Sequence, residues 1–248
     1  MNPTLDATGK VVVVTGGSKG LGRAMALGFA QAGADVVVSS RKLDACQAVA
    51  RDIKELGRHS LAVSCHVGDW DRCQVLVKTT LAEFGRVDVL VNNAGIAPAP
   101  PSLLGVTPDL FDKTIAVNLR GPLRLTALFS EHMEKGASVI NVSSKASLNP
   151  SPYTVVYAAA KAGLNVFTKA AAVEFGPRGI RVNAIVCGTF HSDSLHVLLP
   201  TEEARAEIAS SIALGRIADA HEIVGTALYL ASDASSYVTG QLIVVDGG

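Results

Sequence analysis

Short apolar runs rich in valine alternate with longer segments of helical periodicity along the chain, and this alternation limits the fold more than any other feature. The runs predict strands at Val11–Thr15, Asp35–Ser40, Ser60–Val67, Val87–Val91, Ser138–Ser143, Arg181–Val186 and Leu242–Val245. Nearly continuous Val, Ile and Leu content is typical of strands that are buried on both faces. The pattern predicts an α/β fold, a doubly wound parallel sheet of about seven strands with helices on both faces.

Glycines and capping residues predict where the helices begin and end. Three glycines stand where a helix should end before the next strand: Gly33, Gly57 and Gly85. Three residues whose side chains can cap a helix N-terminus mark helix starts: Asp69, Thr107 and Asp219. No repeat or linker divides the chain, so we expect residues 1–248 to form a single domain. The irregular stretch after Cys187 predicts a substrate lid around residues 187–212.

Composition argues against several classes of protein. The 248 residues carry a formal net charge of +0, which gives no electrostatic reason to expect binding to nucleic acid or to an anionic membrane. No apolar run is long enough to span a membrane, and the N-terminus lacks the pattern of a signal peptide. The 4 cysteines form no C-x-x-C pair, which favours reduced thiols over a disulfide framework. We therefore expect a cytoplasmic protein.

A glycine-rich segment follows the first strand directly and leads into a helix. Its sequence is Thr15-Gly16-Gly17-Ser18-Lys19-Gly20-Leu21-Gly22. Glycines at such a junction allow a sharp turn and let backbone N–H groups approach a pyrophosphate at the helix N-terminus. Three residues separate Gly16 from Gly20, so the spacing departs from the common G-x-G-x-x-G pattern. An ordinary glycine turn is the alternative, but the position at the first strand–helix junction favours a dinucleotide-binding loop.

Three further motifs accompany this loop. They are Asn92-Asn93-Ala94-Gly95 after the fourth strand, Asn118 in a long helix, and Tyr157-Ala-Ala-Ala-Lys161 preceded by Ser143-Ser144. Together the four motifs resemble those of the classical short-chain dehydrogenase/reductase family, and the resemblance covers essentially the whole chain. It implies a Rossmann-like fold and a nicotinamide dinucleotide cofactor. It also implies a catalytic set that consists of Asn118, Ser144, Tyr157 and Lys161.

The resemblance implies cofactor contacts along the carboxyl edge of the sheet as well. The expected contact residues are Gly16, Ser18, Lys19, Gly20, Leu21, Gly22, Ser40, Arg41, His66, Val67, Asn93, Ala94, Gly95, Tyr157, Lys161, Gly188 and Thr189. His66 stands where many family members carry an acidic residue or asparagine that contacts the adenine, and a partly exposed histidine at a strand end is the alternative. Cys187-Gly188 replaces the usual Pro-Gly, and Gly188 still lets the backbone approach the nicotinamide.

The chemistry of the catalytic set follows from the residues themselves. Tyr157 and Lys161 are four residues apart on a helix, so they share a face. We expect the ammonium to lower the pKa of the phenol, which is ordinarily near 10, so that Tyr157 can act as general acid or base. Ser144 at the end of the fifth strand can donate a hydrogen bond to the substrate oxygen. Taken singly, Tyr157 and Lys161 could instead belong to an ordinary amphipathic helix surface, and Ser143-Ser144 could be an ordinary strand terminus.

Asn118 lies in a helix that proline should distort. Pro122 cannot donate the N–H that would bond the carbonyl of residue 118, which predicts a bend or a bound water there. The family resemblance implies that Asn118 helps to hold a water that links Lys161 to solvent. A packing-driven kink is the alternative.

Cofactor choice depends on the end of the second strand. NAD-selective folds usually place an Asp or Glu there, whereas this chain has Ser40 followed by Arg41 and Lys42. The planar guanidinium of Arg41 suits a 2′-phosphate, and Lys19 adds a second cation. The sequence therefore predicts NADP, with NAD as the alternative cofactor if these cations are only solvated surface charges.

The irregular stretch invites two other interpretations that the sequence disfavours. His191 and His196 flank Asp193, but this spacing matches no standard zinc pattern, so we expect no metal and assign these residues to the lid. Nothing in the sequence indicates a depressed pKa for Cys187, so a reactive thiol is not expected there.

The combined expectation is an oxidoreductase that transfers a hydride between NADP(H) and a small carbonyl or alcohol, with Tyr157 as general acid/base. The alternatives are an NAD-dependent alcohol or polyol dehydrogenase of the same fold and a non-catalytic dinucleotide-binding regulator. Substrate specificity should lie in the proline-rich loop after Gly95 and in the lid. The family commonly forms tetramers through the helices that carry Asn118 and Tyr157 and through the last strand and helix, so we expect a homotetramer.

Overall fold

One parallel sheet organises the protein, in a computed structural model that describes residues 5–192, 195 and 201–248. The strands in chain order are β1 (Val11–Thr15), β2 (Asp35–Ser40), β3 (Ser60–Ser64), β4 (Val89–Asn92), β5 (Ser138–Ser144), β6 (Arg181–Cys187) and β7 (Leu242–Val245). They are arranged in the order β3-β2-β1-β4-β5-β6-β7, and every pairing is parallel. The predicted α/β fold with a doubly wound sheet is confirmed.

The third strand is shorter than predicted, since it ends at Ser64 and not at Val67. Its partner β2 ends at Ser40, whose carbonyl accepts the last bond from Cys65 N at 2.9 Å. The chain then turns, and the N–H of Asp69 bonds the His66 carbonyl at 2.8 Å. The prediction that strand character continues through His66 and Val67 was therefore wrong, because no neighbouring strand reaches that far.

The fourth strand also begins later than predicted, at Val89. The preceding residue, Asp88, accepts a hydrogen bond from Val11 N at 2.8 Å through its carboxylate, so a side chain bonds the start of β1. At their carboxyl ends, β5 and β6 each extend one residue further than predicted, to Ser144 and Cys187. These two residues are paired with each other, so Ser144 is the last paired residue of its strand.

Helices cover both faces of the sheet and are capped largely as predicted. They are α1 (Gly20–Gln31), α2 (Leu43–Glu55), α3 (Trp70–Phe84), α4 (Pro108–Ile115), α5 (Gly121–Ser130), α6 (Val155–Phe175), α7 (Glu202–Ser210) and α8 (Val224–Ala231). The glycines that end the first three helices adopt positive φ: Gly33, Gly57 and Gly85. Asp69 and Thr107 accept N-terminal amide hydrogen bonds, and Asp219 forms a capping box with Glu222 ahead of α8.

Alternate residues of the central strands pack into two separate cores. Val12 and Val14 join α1, α2 and α8 on one face, and Val13 joins α3, α5 and α6 on the other. Both faces of the central strands are therefore dry, which explains their unbroken valine content. No helix among the described residues is long and apolar enough to cross a membrane.

The order of the strands places the ligand site. β1 pairs with β2 on one side and with β4 on the other, so the winding direction reverses between β1 and β4. In open parallel sheets, ligands bind outside the carboxyl ends of the strands at such a reversal. The glycine-rich loop follows β1, and the Asn93-Ala94-Gly95 segment follows β4, so both motifs lie at this crevice.

Candidate active site

The glycine-rich loop is shaped by positions at which a side chain would not fit. Gly16 has φ +63°, and a methyl group there would lie 2.8 Å from the side-chain nitrogen Nδ2 of Asn93 and 2.9 Å from the Cα of Ala94. A methyl group at Gly22, in the first turn of α1, would collide with the Gly16 carbonyl and with Asn93. The absence of side chains thus lets the loop pack closely on the segment after β4 and leaves the N-terminus of α1 beside it.

Hydrogen bonds from Thr15 and Asn93 join the loop to β4. The buried Thr15 hydroxyl donates to the Val91 carbonyl at 3.2 Å and accepts from the N–H groups of Asn93 at 3.0 Å and Ala94 at 3.1 Å. The Asn93 amide donates to the carbonyls of Thr15 at 2.9 Å and Gly16 at 3.2 Å. Sequence reasoning gave Thr15 no role, although a polar residue that ends a run of buried valines was a usable signal.

Asn118 lies in a helical segment that is distorted, as Pro122 predicts. α4 and α5 are joined by a π-helical turn over Ala116–Arg120, and the N–H of Gly121 bonds the Ala116 carbonyl five residues back. The fully buried Asn118 amide donates to the carbonyls of Ile96 at 2.9 Å and Thr114 at 3.0 Å, and its oxygen accepts from Ile96 N at 3.1 Å. Asn118 therefore ties the distorted helix to the start of the proline-rich loop.

The other three residues of the expected catalytic set meet at the carboxyl end of β5. Lys161 on α6 extends its ammonium to the Val142 carbonyl at 2.7 Å, and the same Nζ lies 5.9 Å from the centre of the Tyr157 ring. The Ser144 hydroxyl lies near the Tyr157 phenol, whose ionised form it stabilises, and it accepts a hydrogen bond from Ala146 N at 3.2 Å. A methyl group at Gly95 would lie 2.9 Å from Asn118 Oδ1 and 3.6 Å from Lys161 Nζ. Asn118 and Lys161 therefore lie beside Gly95, Tyr157 lies next to Lys161, and Ser144 lies next to Tyr157.

Burial dominates the electrostatics of this region. It lowers the pKa of Lys161 from 10.5 to about 8, because the ammonium loses its water. It also raises the pKa of Tyr157 above 10, and the hydrogen bond from Ser144 opposes this only in part. The expectation that Lys161 lowers the pKa of Tyr157 was wrong for this arrangement. The ammonium is bound to the Val142 carbonyl, and desolvation of the phenol is the larger effect.

Cys187 is the unusual member of this buried cluster. Burial raises the pKa of its thiol to about 12, although the nearby Lys161 acts in the opposite direction. A thiol with such a pKa is protonated at neutral pH and is a poor nucleophile. The sequence interpretation of Cys187 as an unreactive residue agrees with this environment.

The end of β2 is far more open. Arg41 and Lys42 are exposed, and Ser40 is partly buried, with its hydroxyl 3.1 Å from the Cys46 sulfur. Ser64 donates to the Arg41 carbonyl at 3.1 Å, which fixes the backbone there and leaves the guanidinium outside. His66 is partly buried against Gly68, where a methyl group would lie 2.9 Å from the imidazole.

The start of the expected lid is well packed. A methyl group at Gly188 would lie 2.5 Å from the Cα of Asp246 after β7. The Thr189 carbonyl accepts from Ala218 N at 3.2 Å, and Phe190 is buried in the core shared with α1. His191 is exposed, whereas Asp193 and His196 lie outside the described residues. Within the described ranges, no three His, Cys, Asp or Glu side chains come together as metal ligands would.

The residues present fit a dinucleotide. The N-terminus of α1 lies beside the glycine loop, where its first N–H groups can bind a pyrophosphate. Gly16, Gly95 and Gly188 let the backbone segments that shape this cradle pack closely, because a Cβ at each would collide with a neighbouring residue. The buried Lys161 ammonium and the partly buried Ser144 and Tyr157 lie at the β5 end of this cradle, and the exposed cations that follow β2 lie at its other end.

Comparisons with known proteins find relatives over nearly the whole chain. Residues 16–248 match a family model described as enoyl-(acyl carrier protein) reductase. The chain is 36% identical to L-rhamnose 1-dehydrogenase (NAD(P)(+)) from a Sphingomonas species over 97% of this chain and 96% of that protein. It is 39% identical to 3-oxoacyl-[acyl-carrier-protein] reductase from Synechocystis, with 97% of each chain covered. A short chain dehydrogenase from Burkholderia cenocepacia, solved in complex with NADP, superposes with a TM-score of 0.91, at 31% identity over 98% of each chain.

The fold, the site and these similarities define a dinucleotide-dependent oxidoreductase. The chain belongs to the classical short-chain dehydrogenase/reductase family.

Proposed function

We propose that this protein transfers a hydride between NADP(H) and a small carbonyl or alcohol substrate, as a carbonyl reductase or alcohol dehydrogenase. The observation that carries the proposal is the meeting of Ser144, Tyr157 and Lys161 beside the glycine cradle at the carboxyl end of β5. A binding module would have no use for a buried ammonium beside a partly buried phenol and hydroxyl. Burying an ammonium costs stability, and titratable groups with pKa values shifted by burial cluster at functional sites.

Each residue of the set has a separate task in this proposal. Ser144 donates a hydrogen bond to the substrate oxygen, on which negative charge develops during reduction. Tyr157 gives its proton to that oxygen, or takes it back in the oxidative direction. Lys161 places a positive charge 5.9 Å from the centre of the Tyr157 ring, and Asn118 holds the backbone that carries Ile96. When bound, the nicotinamide supplies or accepts the hydride.

Preference for NADP rests on the exposed cations at the end of β2. No carboxylate stands at that strand end, and Arg41 presents its guanidinium to solvent. Charge-assisted contacts to a phosphate contribute about 1.5–3 kcal/mol each, enough for a preference of about tenfold or more. The Burkholderia relative solved with NADP and a metagenomic relative solved with NADPH, 30% identical with a TM-score of 0.92, also support this choice.

The decisive experiment is a substrate panel assayed with NADPH and NADH at neutral pH. The panel contains short aliphatic aldehydes and ketones, a 3-oxoacyl thioester and, in the oxidative direction, aldose sugars with both oxidised cofactors. We expect NADPH oxidation with at least one carbonyl compound and a lower rate with NADH. Cofactor binding by fluorescence without turnover of any panel member would instead favour a regulator that only binds the dinucleotide.

A second candidate function is the oxidation of an alcohol or polyol with NAD. The observation in its favour is the similarity to L-rhamnose 1-dehydrogenase, whose name includes both NAD and NADP. This candidate predicts faster turnover of a sugar with NAD than of any ketone with NADPH, and the same panel distinguishes the two.

We also propose that the chain works as one domain, with a substrate lid around residues 187–212, and assembles as a homotetramer through the helical segment that carries Asn118, α6, β7 and α8. Exposed apolar side chains on α6, Val166 at 69% and Val173 at 79%, give that helix a surface suited to burial between copies. Light scattering at micromolar concentration should give a mass of four chains, and a monomeric mass would contradict the assembly. The unpaired cysteines favour a cytoplasmic location.

A further inference from the structure

An ion pair crosses the carboxyl edge of the sheet directly beside the site. Lys145 follows Ser144 at the end of β5, and its ammonium lies 2.7 Å from a carboxylate oxygen of Asp246, which follows β7. The register pairs Ser144 with Cys187 and Cys187 with Val245. Lys145 and Asp246 therefore leave two strands that flank β6, and the ion pair spans the β6 strand end.

We propose that Lys145 and Asp246 form a positioning pair, which holds the turn that begins at Ser144 and thereby fixes the Ser144 hydroxyl toward the substrate oxygen. The inference rests on the role proposed above for Ser144. It adds that this hydroxyl is held in place by an ion pair reaching across the sheet to the end of β7.

The turn itself shows how Lys145 and Ser144 are coupled. A 3₁₀ turn over Lys145–Ser147 begins with Ser144 as its N-cap, and Ser144 Oγ accepts from Ala146 N at 3.2 Å. The Ser147 hydroxyl donates to the Ser144 carbonyl at 2.6 Å. The Lys145 carbonyl accepts from Asn149 N at 2.8 Å, so the turn is closed around the residue that forms the ion pair. Movement of Lys145 would therefore disturb the orientation of the Ser144 side chain.

The other end of the ion pair is fixed more firmly than in a typical surface pair. Lys145 is 41% exposed, but Asp246 is only 15% exposed. The second carboxylate oxygen of Asp246 accepts from Gly248 N at 3.1 Å, and its Cα packs on the bare Gly188 backbone. Lys145 holds the pKa of the Asp246 carboxyl below its ordinary value, chiefly through their hydrogen bond. By contrast, the Arg23–Asp52 pair between α1 and α2 is 48% and 42% exposed. Ion pairs as exposed as that one contribute little.

The test uses variants that remove one charge at a time. Lys145→Gln and Asp246→Asn keep polar side chains of similar size, and the asparagine oxygen can still accept from Gly248 N. Lys145→Arg keeps the charge and should restore the wild-type behaviour. Arg58→Gln is the matched control, because the Arg58–Asp35 pair is 2.9 Å long and similarly buried but lies at the opposite, amino edge of the sheet.

The first measurement is hydrogen exchange of the Ala146 amide by NMR in the purified full chain. Loss of the ion pair should raise its exchange rate about fivefold, the factor that corresponds to about 1 kcal/mol for a partly buried pair. Unchanged exchange in both neutral variants, or an equal rise in Arg58→Gln, would overturn the proposal. This measurement needs no substrate, so it still decides whether the pair holds the turn if the proposed reaction is not found.

The second measurement is steady-state turnover with NADPH and the best carbonyl of the panel. Both neutral variants should lose about tenfold in kcat with little change in the KM for NADPH, because misplacement of a catalytic group mainly slows the chemical step. A loss confined to the KM for NADPH, or a Lys145→Arg variant as slow as Lys145→Gln, would overturn the positioning role. A wild-type protein without any turnover would instead contradict the proposed function.

Discussion

The two ends of the cofactor cradle differ in their exposure to water. At the β5 end, Asn118 and Lys161 are buried, and their side chains donate hydrogen bonds of 3.0 Å and 2.7 Å to backbone carbonyls. At the β2 end, Arg41 and Lys42 stand exposed on a loop. Water screens the charges at the β2 end and is excluded from Asn118 and Lys161 at the β5 end. The same kind of substitution should therefore have a much larger effect at the β5 end.

The largest expected effect tests the buried end directly. Tyr157→Phe removes only the phenol oxygen, so the helix and the cradle should stay intact. Loss of a general acid or base costs about 10²–10⁴-fold in rate, and we expect a fall in kcat of that size with unchanged NADPH affinity. Stopped-flow turnover and a fluorescence titration measure the two quantities.

A tyrosine elsewhere supplies the control for this comparison. Tyr237 is fully exposed, and Tyr237→Phe should leave both turnover and NADPH affinity unaltered. Turnover of Tyr157→Phe within a few-fold of wild type would show that another group transfers the proton.

The second prediction tests burial at the same end without any substrate. Because the pKa of Lys161 is about 8 in the folded protein and 10.5 ordinarily, the unfolded chain binds a proton between those pH values that the folded chain does not. The stability of the wild type should therefore rise with pH across this window, by about 3 kcal/mol relative to Lys161→Met. Denaturant unfolding of both proteins at pH 7.5 and pH 10.5 measures the difference, and groups that titrate equally in both proteins cancel.

An exposed lysine on the same helix provides the matched variant. Lys169→Met lies two turns beyond Lys161 on α6, and its stability relative to wild type should be nearly the same at both pH values. The ammonium is not desolvated if the difference in unfolding free energy between wild type and Lys161→Met stays constant or shrinks as the pH rises.

The sequence predicted which residues come together at the β5 end, but it did not predict the direction of the Tyr157 pKa shift there. Motif order and valine periodicity located all seven strands and the spacing of Tyr157 and Lys161 on one helix face. A four-residue spacing shows that two side chains are neighbours, but it does not show how much water surrounds them. That is why the direction of the Tyr157 pKa came out opposite to the expectation.

Contacts between distant segments were beyond prediction for a related reason. The hydrogen bonds of Thr15 to the segment after β4 and the Lys145–Asp246 pair depend on strand register, which no local pattern encodes. The early end of β3 likewise depends on where its neighbour β2 stops. In each case the missing information is which strands are adjacent and where their ends meet.

The smallest expected effect tests the exposed end of the cradle. Arg41→Ala removes a guanidinium that suits a 2′-phosphate, and an exposed charge-assisted contact of this kind should account for about tenfold in the ratio of kcat/KM for NADPH over NADH. Arg51→Ala removes another exposed arginine about two turns along α2 and should leave that ratio unchanged. Because water and salt screen this end, the effect of Arg41→Ala should shrink further as ionic strength rises, whereas the effect of Tyr157→Phe should not. Equal ratios in Arg41→Ala and wild type at low salt would mean that Arg41 does not contact the phosphate, and the difference between the two ends would then rest on the buried cluster alone.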